Sequence, residues 1–249
     1  MYLDEYLSVL PGQAKRAVYR AVWNPDKWNR QFLVARLAEG WGTGLDVGGR
    51  ASEMDALCRT TEFISCNPRA PADVLLGADR ADLPFQTGSF DVVTSSDVIE
   101  HIPPNLRSGH LAELIRVARS RVIACFPLGS AVHLEAEKRL AARLVNLGVP
   151  VPAFLSEHLE FGLPTPEGVK QLASVPEEST VRLFYQGDFI EGDEMLTAAM
   201  RLRHRLDPWA LRAFLTAGRL VKGQRHLLTS PEANTARVFL VIDHEGERG

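Results

Sequence analysis

The segment LDVGGRASEMDAL most constrains what this chain can fold into. Gly44 to Val47 is a short apolar run that ends in Gly48 and Gly49. Two glycines at the carboxyl end of a strand permit tight backbone geometry and close approach of a ligand. Ser52 suits an N-cap and Glu53 and Asp55 suit a first helical turn, so the helix amides would point back at the glycine turn and welcome an anion there. A second strand ending at Cys66 and Asn67 follows, then the polar turn before Leu83-Pro84, then a strand from Asp91 to Thr94 whose continuous apolar centre implies burial on both faces. Strand, glycine turn, helix, strand is one binding half of a doubly wound α/β domain.

Beyond that stretch, Asn105 is expected to cap a helix with Leu111, Leu114, Ile115 and Ala118 toward the sheet, and RVIACF is a fifth parallel strand. An amphipathic helix is predicted over Val132 to Leu147, with Ala136, Leu140, Leu144 and Leu147 on its stripe. Thr165, Pro166 and Glu167 read as cap, first-position proline and first-turn acid of another helix. VRLFY and RVFLVI are two further strands, separated by far more chain than a hairpin turn needs. The expected fold is therefore α/β: a Rossmann-like doubly wound sheet, mostly parallel with an antiparallel C-terminal edge hairpin, and helices on both faces. Residues 1–40 form an N-terminal helical lid, and 41–249 the main domain with a helical insertion at about 188–228. In the lid, Tyr2, Tyr6, Tyr19, Trp23 and Trp28 either line the mouth of the site or belong to the core.

LDVGGR, LPFQTGSFDVV and SSDVIEHIPP resemble the corresponding segments of class I S-adenosylmethionine-dependent methyltransferases, in particular the small-molecule, type 11-like group. The resemblance covers roughly residues 41 to 128. It implies S-adenosyl-L-methionine as cofactor, with Asp46, Gly48 and Gly49 beside its methionine part, Asp79 receiving the adenine amino group, Arg80 flanking the ring, and Ser96 on the cofactor side of the cleft. Two positions depart from the family pattern. Arg50 stands at the third element of D-x-G-x-G, where it either pairs with the cofactor carboxylate or faces solvent. Asn67 stands near where the family carries a ribose-binding acid, and an amide meets a diol without charge assistance.

Methyl transfer is an in-line displacement at a carbon already activated by the sulfonium, so positioning in a dry pocket does most of the work. A hydroxyl acceptor additionally needs a proton acceptor, for which histidine is suited. His101, directly after the strand, and His158, in SEHLEFGLP, are the two candidates; each also has a packing alternative, and Asp97 could orient His101 if the segment between them is helical. The expected function is S-adenosylmethionine-dependent methylation, with oxygen of a small-molecule or glycan-type acceptor ahead of nitrogen. The alternative is a catalytically silent partner subunit of the same fold, favoured by Arg50 and Asn67.

Of the 249 residues 45% are hydrophobic and the formal net charge is −3, enough for a full core and without a global pull toward nucleic acid or anionic membrane. Seven basic residues against Asp207 between Arg201 and Arg225 read as a solvated helix face ahead of an anion-receiving surface, and nucleic acid is not an expected partner. Cys58, Cys66 and Cys125 show no metal-type spacing, so no metal is expected, and an odd count of reduced, buried thiols suits a cytoplasm. No apolar run reaches the length of a membrane span, and the start lacks a secretion signal. A homodimer is left open.

Overall fold

The structure is a computed structural model that describes residues 14, 15, 19, 25–51, 53–69, 71–76, 82–175, 178–188 and 227–244. Ser52, Asp79, Arg80, Tyr2, Tyr6, Trp23 and nearly all of the insertion, with its basic residues, lie outside the described residues.

The elements in chain order are α1 (Pro25–Ala38), β1 (Thr43–Val47), α2 (Glu53–Leu57), β2 (Glu62–Asn67), β3 (Val74–Leu75) and β4 (Phe90–Ser96). Two 3₁₀ turns, Ile99–His101 and Pro104–Leu106, lead into α3 (Arg107–Val117) and β5 (Ala118–Pro127). Then come α4 (Ala131–Asn146), α5 (Ala153–Phe161), α6 (Pro166–Leu172), β6 (Ser179–Asp188) and β7 (Thr235–His244). The strands form one sheet in the order β3-β2-β1-β4-β5-β7-β6. β1 to β5 pair in parallel, and β7 runs antiparallel to both β5 and β6. The fold is the mostly parallel Rossmann-like sheet with an antiparallel C-terminal edge.

Alternation along the strands divides the core into two layers, because successive side chains point to opposite faces. Leu45 and Val47 of β1, Val93 of β4, Val122, Ala124 and Phe126 of β5, and Leu240 and Ile242 of β7 pack against Leu111 and Leu114 of α3 and Val169 of α6. On the other face, Phe63, Val92, Ile123, Cys125, Phe239 and Val241 meet Trp28, Val34 and Ala38 of α1 and Met54 and Leu57 of α2. Tyr19 and Trp28 are buried in this second layer, so these two aromatics are core residues. Gly44 is needed here, since a Cβ would fall 2.5 Å from the Phe63 ring.

Three local expectations change. Asn105 does not cap α3; it lies in the second 3₁₀ turn, where Pro103 and Pro104 stiffen the backbone, and the helix starts at Arg107 with no side-chain cap. Ala118 is the first residue of β5, and Leu147 lies beyond α4 and is 54% exposed. Thr165, by contrast, accepts a hydrogen bond from Gly168 N at 3.2 Å and has Pro166 behind it, as a capped start requires. Among the described residues no helix is long and apolar enough to cross a membrane.

Candidate active site

The order of the sheet places the site. The chain moves outward from β1 through β2 and β3, then returns to β4 on the other side of β1, and this reversal opens a crevice at the carboxyl ends of the strands. Asp46 pairs with Thr94 and Val47 with Ser95, which brings the ends of β1 and β4 level.

At that end Gly48 has φ +82 and donates its N–H to Cys66 O at 2.8 Å. A Cβ on Gly48 would stand 2.2 Å from Val98 Cγ2, and one on Gly49 only 1.8 Å from Asp46 Oδ2. Both positions therefore require glycine, one through its backbone angle and both through space. The helix that follows is only Glu53–Leu57, so the anion-attracting terminus expected from sequence shrinks to little more than one turn.

Asp46 is buried, and its Oδ1 accepts from Thr94 Oγ1 at 2.8 Å while Oδ2 has no hydrogen-bond partner. Burial, with the Glu53 charge adding and the Thr94 bond opposing, pushes the carboxyl up to about 7. Asn67 turns back into the loop: Nδ2 donates to Gly48 O at 2.7 Å and to Gly49 O at 3.1 Å, and Oδ1 accepts from Arg69 N at 2.9 Å. Its amide braces the glycine turn, with both donors committed. Arg50 is exposed at the rim of that turn. Ser96 ends β4 with its Oγ buried and without a hydrogen-bond partner.

Asp97 follows with φ +53, a left-handed conformation uncommon outside glycine and asparagine. It does not orient His101. Its carboxylate is held by Arg30 at 2.7 Å and by Arg237 of β7. Arg237 also reaches Asp26 at 2.9 Å, so α1, β4 and β7 meet in one ionic knot.

His101 closes the first 3₁₀ turn, its side chain 29% exposed. Glu157 Oε2 of α5 lies 2.6 Å from its Nδ1, although off the hydrogen-bond axis. His158, the next residue of α5, is buried, its ring centroid 5.2 Å from that of His101 and its Nδ1 2.7 Å from Glu137 Oε1 of α4. Glu100 is 1% exposed, its Oε2 lacks a partner, and burial together with the Asp97 carboxylate pushes it up to about 8. The structure thus brings together the two histidines that lie far apart in sequence. Arg107 holds the two segments, donating from Nε to Ile102 O at 2.9 Å and from Nη2 to Phe161 O at 3.3 Å and Gly162 O.

Glu100, Glu137, Arg30 and Arg237 were not singled out by sequence reasoning. Arg237 had one usable signal, a charge at the start of the apolar run RVFLVI. His133 and Glu137, four apart on one helix face, carried another.

The model of a methyltransferase domain matches residues 43–126, the span from the start of β1 to the last residue but one of β5, with every residue of the glycine turn inside it. Residues 43–126 are a methyltransferase domain. A search of the curated proteins finds no significant match. Among solved structures, phosphoethanolamine N-methyltransferase 2 of Haemonchus contortus in complex with S-adenosyl-L-methionine aligns with a TM-score of 0.53 at 12% identity over 99% of this chain and 60% of that one. The same enzyme with phosphomonomethylethanolamine and S-adenosylhomocysteine gives 0.51 at 12% identity, over 96% and 61%. The plantazolicin methyltransferase BpumL with a triazolic substrate analogue and S-adenosylhomocysteine gives 0.50 at 10% identity, over 98% and 95%. At such identities these likenesses speak for the fold. This chain spans 61% of the first structure's length.

The cofactor of methyltransferase domains of this kind is S-adenosylmethionine, and the residues of this domain fit it. Two buried oxygens, Asp46 Oδ2 and Ser96 Oγ, lack partners at the ends of adjacent strands, and the turn between them is glycine where any Cβ would collide. An unsatisfied buried acceptor costs stability unless a ligand group meets it. The cofactor's ammonium suits the first and its hydroxyls suit the second.

Proposed function

We propose that this protein transfers a methyl group from S-adenosylmethionine to a hydroxyl oxygen of a small molecule or glycan-type acceptor. The observation that carries the reading is the cluster of Glu100 and His101, just beyond β4, with His158 of α5, on the same crevice as the glycine turn, since Val98 before them packs on Gly48. Gly48, Gly49, Asp46 and Ser96 hold the cofactor; the bound cofactor supplies an electrophilic methyl carbon. The acceptor oxygen lies toward His101, the most accessible member of the cluster, and the hydroxyl proton leaves there. The O–C bond forms as the C–S bond breaks and its electron pair returns to sulfur. Oxygen is favoured because a neutral hydroxyl is a weak nucleophile until its proton is drawn off, and His101 stands where it can take that proton. Three buried, free cysteines fit a cytoplasmic setting.

Titration calorimetry with S-adenosylhomocysteine, followed by transfer of labelled methyl to matched panels of hydroxyl and amine acceptors, tests the reading. Saturable binding with label confined to hydroxyl acceptors is the expected result. A second reading, a catalytically silent subunit of the same fold, is favoured by one observation: Asn67 commits both donors to the glycine turn, and the ribose-binding acid is missing from the end of β2. Absence of S-adenosylhomocysteine binding would select it.

A further inference from the structure

The residues beyond β4 form more than a proton acceptor. One donor atom each of Glu100, His101 and His158 lies within 4.8 Å of the other two. His101 Nε2 and Glu100 Oε1 are 4.0 Å apart. Two ligands on bonds of ~2.1 Å can span at most ~4.2 Å across one ion, so this separation is already within reach and side-chain rotation closes the rest.

The arrangement around these donors is also that of ligands held for an ion. Each imidazole turns Nδ1 toward a carboxylate from another segment, Glu157 for His101 at 2.6 Å and Glu137 for His158 at 2.7 Å. The Glu137 carboxylate, hydrogen-bonded at Nδ1 of His158, leaves Nε2 as the nitrogen of that ring able to coordinate, while Glu157 faces Nδ1 of His101 without an aligned hydrogen bond. Glu100 is fully buried with one carboxylate oxygen unpartnered, although Arg30 and Arg237 nearby are occupied by Asp97. Glu100 thus offers the cluster a buried oxygen for which no hydrogen-bond partner stands among the described residues.

We propose that Glu100, His101 and His158 bind one divalent transition-metal cation next to the methyl-transfer site. Two nitrogens and one carboxylate suit zinc, manganese, iron or cobalt and disfavour magnesium and calcium, which take all-oxygen sets. His101 is the most exposed of the three, its side chain 29% accessible against 1% for Glu100, so an acceptor would approach from its side. Resting on the function proposed above, the ion supplies the proton release that a hydroxyl acceptor requires. With the ion bound, His101 would serve as ligand in place of proton acceptor: the cation would lower the pKa of the acceptor hydroxyl, whose proton would pass to solvent before its oxygen takes the methyl group and the C–S electron pair returns to sulfur. Glu137 and Glu157 are positioning residues that orient the rings. The sequence concealed the site because its donors come from a turn after β4 and from α5, without short metal-ligand spacing.

The test uses the full chain, stripped with a chelator and titrated with Co²⁺, whose visible absorption reports nitrogen and oxygen coordination. Saturation at one equivalent is expected, with competition by Zn²⁺. His101→Gln and His158→Gln should each weaken Co²⁺ binding by at least ~100-fold, and Glu157→Gln by ~10-fold or more through the ring it orients. Since His158 is buried and His101 is partly exposed, His101→Gln keeps the test valid if the other variant misfolds. Absence of the bands in the parent protein, or bands that survive both substitutions, overturns the metal site. Calorimetry with S-adenosylhomocysteine on the same samples separates the two proposals. Cofactor binding without metal binding refutes only the ion, whereas metal binding without cofactor binding refutes the methyltransferase reading.

Discussion

Asp46 Oδ2 stands 1.8 Å from where the Cβ of any residue replacing Gly49 would have to sit. The carboxylate and the glycine therefore share one space, and the turn is a matched pair in which the acid depends on the missing side chain. Gly49→Ala should displace the carboxylate and lower S-adenosylhomocysteine affinity by ~10-fold or more, by removing one charge-assisted contact. Because Gly49 does not have a left-handed φ, the fold should survive, with a cost of ~1–2 kcal/mol for the overpacked contact. Calorimetry and urea denaturation of the same variant check both halves.

The raised pKa of Asp46 makes a second expectation. Its folded-state value is about 7 against an ordinary 3.8, so between those limits the native chain holds a proton that the unfolded chain has lost. Stability from this group is complete below the lower value and is lost as pH rises through the upper one, a total of at most about 4 kcal/mol. Asp46→Asn should flatten the fall in melting temperature from pH 5 to pH 8. Cofactor binding runs the opposite way, because an ammonium needs the ionised carboxylate: affinity for S-adenosylhomocysteine should climb from pH 6 to pH 8 in the parent and stay flat in the variant. A pH-independent parent would refute the pairing.

The parts of this molecule that were legible in its sequence are those decided within a few residues. Gly48 and Gly49 announce a turn because only glycine tolerates the space, and Thr165-Pro166 announces a helix start because cap and first-turn proline are adjacent. The continuous burial through the centres of β5 and β7 follows from their apolar runs. Asp97 was misread, and the brace that Asn67 makes went unseen, for the opposite reason. Their hydrogen-bond partners are carbonyls in another loop and guanidinium groups from α1 and β7, which no local pattern encodes. The pairing of His101 with His158 also depends on tertiary packing, namely the docking of α5 against the turn after β4.

Asp97 yields a third prediction. Its carboxylate ties Arg30 to Arg237, both largely buried at 9% and 12% side-chain exposure, while its backbone sits at φ +53. Asp97→Ala leaves two guanidinium groups with only Asp26 between them and keeps the strained backbone, so a loss of about 2–3 kcal/mol is expected after allowance for the 27% exposure of Asp97. Asp97→Gly loses the same ion pairs but relieves the left-handed strain, worth about 1 kcal/mol. The glycine variant should therefore unfold at higher urea than the alanine variant. The reverse order would show that the left-handed backbone at Asp97 stores no strain.

Arg107 ties together the two segments that carry His101 and His158. It is buried and donates to Ile102 O on the His101 side and to Phe161 O and Gly162 O at the end of α5, so one guanidinium spans both halves of the cluster. The other links across this junction are the Glu157–His101 pair and the contact of the two rings, and α5 also rests on α4 through Leu140, Leu144 and Leu155. Arg107→Met keeps the length and apolar stem of the side chain but removes its donors, leaving three carbonyls without this partner at a cost of about 1–3 kcal/mol. Turnover should fall by ~10–100-fold as the rings separate, because misplacement by about an ångström carries that penalty. S-adenosylhomocysteine affinity should change less than twofold, since no residue of the glycine turn touches Arg107. Equal losses of cofactor affinity and turnover would mean that Arg107 supports the whole crevice, and the histidine cluster would lose its separate role in the chemistry.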